Sequence, residues 1–224
     1  MRVKVCGITR DVDITVCVNA GVDALGFVVE YPRPVPWNID REKARGLVLK
    51  VPPYVSSVLV TSGKDVNRAV ELVGCVMPDV LQLHGDEGEE ETREVVGLMR
   101  GEGVKVVKAV SIDVDKALIM NELVKKTLSF QDCGVDALLL DSRTDNMPAG
   151  TGVPISWEVA KRVREGLGIP MILAGGLNPW NIREAIRCVR PYGVDVISGV
   201  EGSPGVKDPE KVRALVKACR EELQ

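Results

Sequence analysis

A thiol and a carboxyl group stand at matching places in two short apolar runs of this 224-residue chain. Cys6 closes Arg2-Val3-Lys4-Val5 and is followed by Gly7. Asp141 closes Ala137-Leu138-Leu139-Leu140. A thiolate can act as a base, but a free thiol titrates near pH ~8.5 and needs help at neutrality. A buried structural cysteine is the other reading, since free Cys is among the most buried residue types. A carboxyl group after four apolar residues is costly to bury unpaired. Asp141 therefore reads either as a turn or N-cap aspartate, or as an acid kept protonated in a water-poor site.

Three glycine-bearing segments accompany the pair: Ala149-Gly150-Thr151-Gly152, Ala174-Gly175-Gly176-Leu177 and Ser198-Gly199-Val200. Glycine lets a backbone approach an anion closely, and N–H groups can cradle it. Arg33 could fork onto a carboxylate, or be a solvated surface arginine. His84 is the chain's one histidine. It reads as a hydrogen-bonded structural residue or a substrate contact rather than the leading catalyst.

The elements that must position these groups follow one rhythm. Short Val/Ile/Leu runs alternate with longer stretches of helical period. The predicted strands are Arg2–Ile8, Ala24–Val29, Ser56–Thr61, Val80–Leu83, Lys105–Val110, Ala137–Leu140, Met171–Ala174 and Asp195–Ser198. Helices are predicted to begin near Asp11, Asp40, Lys64, Glu87, Asp113, Ser156, Asn178 and Asp208. Asn178-Pro179 and Asp208-Pro209 each offer an N-cap followed by proline at the first helical position. Such alternation implies a parallel sheet, and eight units close into a barrel. The expectation is an α/β protein, a (β/α)8 TIM barrel forming a single domain over residues 1–224. Cys6 and Asp141 then end strands one and six, which face each other across the mouth. Gly175, Gly176, Ser198 and Gly199 follow strands seven and eight, the usual phosphate location in this architecture. The long loops Tyr31–Ile39 and Ser142–Ile155 both follow strands, which places them on the catalytic face.

Bulk composition excludes several classes. The formal charge is −3, from 29 basic and 32 acidic residues. No basic run interleaved with aromatics points to nucleic acid. No apolar run reaches the ~18 residues of a membrane span. Charge enters too early at the start for a signal-peptide core, so the chain reads as cytoplasmic. The six cysteines are irregularly spaced without a C-x-x-C, so neither a zinc site nor a disulfide framework is expected.

Taken in order, the segments resemble the phosphoribosylanthranilate isomerase family. The resemblance rests on Lys4-Val5-Cys6-Gly7-Ile8-Thr9, Asp23-Ala24-Leu25-Gly26-Phe27-Val28, Leu81-Gln82-Leu83-His84-Gly85-Asp86, Leu138-Leu139-Leu140-Asp141-Ser142, Leu173-Ala174-Gly175-Gly176-Leu177-Asn178-Pro179, Gly193-Val194-Asp195-Val196-Ile197-Ser198-Gly199-Val200-Glu201 and Ser203-Pro204-Gly205-Val206-Lys207-Asp208. It implies an Amadori rearrangement of N-(5-phosphoribosyl)anthranilate to 1-(2-carboxyphenylamino)-1-deoxyribulose 5-phosphate in tryptophan biosynthesis. It assigns Asp141 as general acid and Cys6 as general base. It gives Arg33 the anthranilate carboxylate, and it gives the phosphate to Gly175, Gly176, Ser198 and Gly199. No metal or organic cofactor is implied, because the imine is the electron sink. The partner is a small phosphorylated substrate, and the chain is a monomer or a homodimer.

The sequence departs from the family pattern at several places. The loop after Arg33 is proline-rich and long, Ala149 stands for a glycine, Ile155-Ser156-Trp157 lacks an aspartate, and Ile197 replaces a serine. The segment Asp113–Gln131 is long for its place. Two other functions compete. One is a related phosphate-binding barrel isomerase acting on a histidine-pathway aminoaldose, against which Cys6 stands where an aspartate is needed. The other is a non-catalytic sensor of phosphorylated sugars.

Overall fold

The structure, a computed structural model, describes residues 1–113, 120–143 and 156–222. Eight strands are β1 (Arg2–Val5), β2 (Ala24–Val29), β3 (Ser56–Thr61), β4 (Val80–Leu83), β5 (Lys105–Asp113), β6 (Ala137–Arg143), β7 (Met171–Leu173) and β8 (Gly193–Val196). They pair in parallel in sequence order. β1 bonds both to β2 and to β8, which closes the barrel. The helices are α1 (Asp11–Ala20), α2 (Arg41–Val48), α3 (Val66–Val76), α4 (Glu89–Glu102), α5 (Met120–Asp132), α6 (Trp157–Gly166), α7 (Ile182–Val189) and α8 (Pro209–Glu221).

Strand alternation divides the core in two. Residues such as Val3, Val5, Leu25, Phe27, Leu138 and Leu140 face outward and pack against the helices in one large cluster. The opposite phase fills the barrel with smaller groups: Cys6, Val28, Val58 and Val60 on one side, and Val107, Ala109, Ala137, Leu139 and Ala174 on the other. This period of two puts Cys6 in phase with Lys4, and Asp141 in phase with Leu139.

Aspartates fasten the end of the barrel remote from the catalytic mouth. The backbone N–H of Val3 donates to Asp23 (2.8 Å), that of Ser57 to Asp79 (2.7 Å) and that of Val106 to Asp136 (2.8 Å). Each aspartate lies just before one strand and satisfies the entering strand beside it. Helix starts use the same chemistry. Asp40 accepts from Lys43 N (2.7 Å), Asp65 from Arg68 N (3.0 Å), and Asp208 from Glu210 and Lys211 N (2.8 and 3.0 Å).

Boundaries differ from the sequence expectation where the backbone turns. β1 ends at Val5 rather than Ile8, because Gly7 adopts φ +76°. Cys6 N nonetheless donates to Val196 O (2.9 Å), so the ladder holds Cys6 at the rim. β8 runs Gly193–Val196, not Asp195–Ser198; Ile197 leaves the strand and a 3₁₀ turn spans Ser198–Val200. β5 and β6 run on past their predicted ends, pairing Ser111 with Asp141 and Asp113 with Arg143. Asp113 thus ends a strand instead of opening a helix. Regular α7 begins at Ile182, yet Asn178 Oδ1 accepts from Trp180 and Asn181 N (2.9 and 3.2 Å) and caps the turn before it. The loop 31–39 carries a short strand, Asn38–Ile39, paired with β2. The predicted segment Ala149-Gly150-Thr151-Gly152 lies outside the described residues, as does the Ser142–Ile155 loop beyond Arg143.

Asp208→Ala removes two cap bonds from an exposed helix start. The expected loss is about 1 kcal/mol of stability, read as a lower urea midpoint at unchanged slope, with turnover at saturating substrate unaffected.

Candidate active site

A cleft of about 700 Å³, counting the space open to solvent, lies at the strands' C-terminal mouth. Cys6, His84, Asp141, Gly175, Gly176, Ser198 and Gly199 all line it. Among the described residues, the structure therefore brings together every proposed catalytic and substrate-binding residue except Arg33. An apolar wall of Val28, Tyr31, Val35, Trp37 and Val60 closes one side, suited to an aromatic or alkyl ligand surface.

Cys6 is buried and free. Gly26, across the β1–β2 ladder, makes room for it: a Cβ there would lie 2.5 Å from Cys6 Sγ and 3.0 Å from Lys4 Cε. Lys4 Nζ is 2.7 Å from Asp195 Oδ2, and both side chains are almost wholly buried. Burial pushes the Cys6 thiol up. The Lys4 ammonium pulls it back and Asp195 opposes that pull, leaving the thiol above its ordinary range. Burial also works against the charge on Lys4, but Asp195 and then Cys6 outweigh it, so the ammonium is held. The unliganded site thus stores a thiol with a fixed cation beside it.

Asp141 is buried on β6, and His84 Nε2 lies 3.2 Å from its Oδ2. The approach is close, but no hydrogen bond closes on His84 Nε2. His84 Nδ1 stands 3.1 Å from the Gln82 amide nitrogen. With that amide donating, the neutral ring carries its proton on Nε2, facing Asp141 and the cleft. The Tyr31 hydroxyl donates to the His84 carbonyl (2.7 Å) and fixes the residue from the facing loop.

Two glycine turns form the opposite end of the cleft. Gly175 and Gly176 have φ +85° and +63°. A Cβ on Gly175 would fall 2.3 Å from Ser142 Oγ, and one on Gly199 would fall 1.9 Å from the Leu177 carbonyl oxygen. Only glycine lets these turns nest against each other and against β6.

Arg33 sits elsewhere. Its Nη2 pairs with Asp86 (3.2 Å), with about half of the side chain exposed. It lines a neighbouring rim cleft with Lys64 and Arg68.

Reasoning from sequence passed over Lys4, Asp195, Trp37 and Glu201. The indole N–H of Trp37 donates to Glu201 (2.8 Å), which also pairs with Lys207 (2.8 Å) and accepts from Gly205 N (3.2 Å). This buried contact stitches the loop after β2 to the hairpin after β8, in which Glu201–Ser203 pairs antiparallel with Val206–Lys207. A signal existed for the first two residues: Lys4 and Asp195 interrupt apolar strands at inward positions, and a buried charge demands a partner. Nothing local announced Trp37.

Comparison with known proteins agrees along the chain's length. Residues 3–218 match the family model described as N-(5'phosphoribosyl)anthranilate (PRA) isomerase. An N-(5'-phosphoribosyl)anthranilate isomerase of Haloferax volcanii is 41% identical over 220 residues, covering 98% of this chain and 93% of that protein. The crystal structure of phosphoribosyl anthranilate isomerase from Thermotoga maritima is 32% identical, with TM-score 0.83 and 99% of each chain covered. A phosphoribosyl anthranilate isomerase in complex with reduced 1-(o-carboxyphenylamino)-1-deoxyribulose 5-phosphate gives 32% identity and TM-score 0.80 over 99% of each chain.

Gly175→Ala forces a Cβ into Ser142 at a left-handed φ. A destabilisation of more than ~1 kcal/mol is expected, with loss of affinity for inorganic phosphate in calorimetric titration.

Proposed function

The chain belongs to the N-(5'-phosphoribosyl)anthranilate isomerase family, and we propose that Cys6 is its general base and Asp141 its general acid. The activity is the isomerisation of N-(5'-phosphoribosyl)anthranilate in tryptophan biosynthesis. The single observation that carries the residue assignment is the convergence of β1, β6 and both glycine turns on one cleft.

Asp141 protonates the furanose ring oxygen. The C1–O bond breaks, and the anthranilate nitrogen lone pair forms the C1=N bond of a protonated imine. Cys6 thiolate then removes the proton from C2. The C–H electron pair becomes C1=C2 and neutralises the nitrogen, giving an enolamine. Tautomerisation places a proton on C1 and removes one from O2, which yields the ketone. Each proton-transfer group contributes roughly 10²–10⁴-fold.

The phosphate is assigned to the backbone of Gly175, Gly176, Ser198 and Gly199, which line the cleft after β7 and β8. His84 Nε2–H, on the cleft lining beside Asp141, donates to a substrate oxygen. Arg33 turns from Asp86 to the anthranilate carboxylate. That exchange costs little, since an exposed ion pair contributes only about 0–1 kcal/mol. The whole chain acts as one domain. It works in the cytoplasm, in keeping with a described structure in which no helix is long and apolar enough to cross a membrane.

Cys6→Ala and Asp141→Asn should each remove most turnover, at least ~100-fold, while circular dichroism remains that of the parent. Arg33→Ala should raise KM with a smaller change in kcat. Full turnover by either of the first two in the anthranilate-fluorescence assay removes that residue from the mechanism.

The pH dependence has a defined sign. Because burial holds the Cys6 thiol above its ordinary range, the thiolate fraction grows with pH through neutrality. The kcat/KM profile should climb with pH there, and a level profile would contradict thiolate chemistry.

A further inference from the structure

We propose that Lys4, anchored by Asp195, is a positioning residue that makes the Cys6 thiolate accessible inside the barrel. This rests on the assignment of Cys6 as base and extends it to a residue that touches no substrate.

The placement follows from register. Lys4 and Cys6 share the inward phase of β1, and Lys4 pairs with Asp195 on β8. Both Lys4 Cε and Cys6 Sγ occupy the space above Gly26, where any side chain would collide with them. The ammonium cannot leave for solvent, because Asp195 holds it at 2.7 Å and the surrounding strands bury it. A buried ion pair of this kind is poor evidence for stability, since well-packed apolar residues often serve as well or better. Its position beside the thiol, over Gly26, gives it another use.

The charged and titratable groups around Cys6 come from several elements. Lys4 lies on β1, Asp195 on β8 and Lys207 on the hairpin after β8, while Asp141 and His84 face it across the cleft. Lys207 is already committed to Glu201 and the Ile197 carbonyl. Asp195 disfavours a second anion. Lys4 is therefore the cation left to meet the sulfur's charge, and its pull on the thiol is the strongest that opposes burial. When Cys6 takes the C2 proton, the sulfur becomes neutral and the Lys4 ammonium keeps its own proton. Lys4 stabilises the base before the step and is not a proton carrier.

The experiment measures two things on the purified, intact chain. One is the pH profile of kcat/KM. The other is the ultraviolet thiolate absorbance of Cys6, taken as the difference from a Cys6→Ser variant. Lys4→Met should shift both upward by about one pH unit or more, which is about a tenfold loss of kcat/KM per unit at neutral pH. Lys4→Arg should restore both toward the parent. Because Lys4→Met leaves Asp195 buried and unpaired, the double variant Lys4→Met/Asp195→Asn provides a fold without either charge. It should still titrate above the parent, since Lys4 outweighs Asp195 at the sulfur. Parent-like Cys6 titration in both folded variants overturns the proposal. Turnover retained in Cys6→Ala overturns the base assignment instead, and the thiol titration, which needs no catalysis, then decides the role of Lys4 by itself.

Discussion

Closure of the barrel through β1 is the constraint from which the site follows. β1 is bonded in register to β2 on one side and to β8 on the other. Alternation then leaves no freedom: Lys4 and Cys6 must face inward, Ala24 and Gly26 must lie beside them, and Asp195 must meet Lys4. A slip of one residue would send Cys6 to the helices and Val5 to the cleft. The same register carries Val28 and Trp37 to one side of the thiol. Across the barrel, the extended β5–β6 ladder holds Asp141 at the opposing rim.

Room for charge inside the barrel comes from small neighbours. The inward phase carries Ala, Gly and Val where the outward phase carries Leu, Ile and Phe. That asymmetry lets lysine, aspartate and cysteine heads be housed without swelling the sheet. The two ends of the barrel then divide their work. At the remote end Asp23, Asp79 and Asp136 are spent on backbone N–H groups and tie strands together. At the mouth, His84 Nε2 and Asp195 Oδ1 are buried with no hydrogen-bond partner among the described residues. Unpaired buried atoms are costly, and a ligand that supplies their partners recovers that cost on binding.

Loop organisation matters as much as the strands. The proline-rich segment after β2 is held by a short strand, by Asn38 bridging Tyr31, and by Trp37 inserted against Glu201. Glu201 belongs to the hairpin that follows the second glycine turn. The apolar wall and the second glycine turn are thereby linked through a buried carboxylate and Lys207, so two sides of the cleft share one support. Arg33 lies outside this support, paired with the exposed Asp86.

The alternating pattern, the approximate strand positions and the placing of Cys6 and Asp141 at one mouth of the barrel were legible in the sequence, because hydrophobic period and N-cap chemistry are local. So was the glycine content of the two turns, since only glycine lets the chain press this closely on its neighbours. Local information could not show that Lys4 and Asp195 meet, since they lie 191 residues apart and their pairing exists only once the barrel closes. Nor could it show Trp37 reaching Glu201, the redirection of Arg33 to Asp86, or the close approach of His84 to Asp141. Those contacts depend on side-chain directions set by register and by loops packing on one another, so the fold is written in periodicity while the electrostatics of the site are decided by tertiary closure.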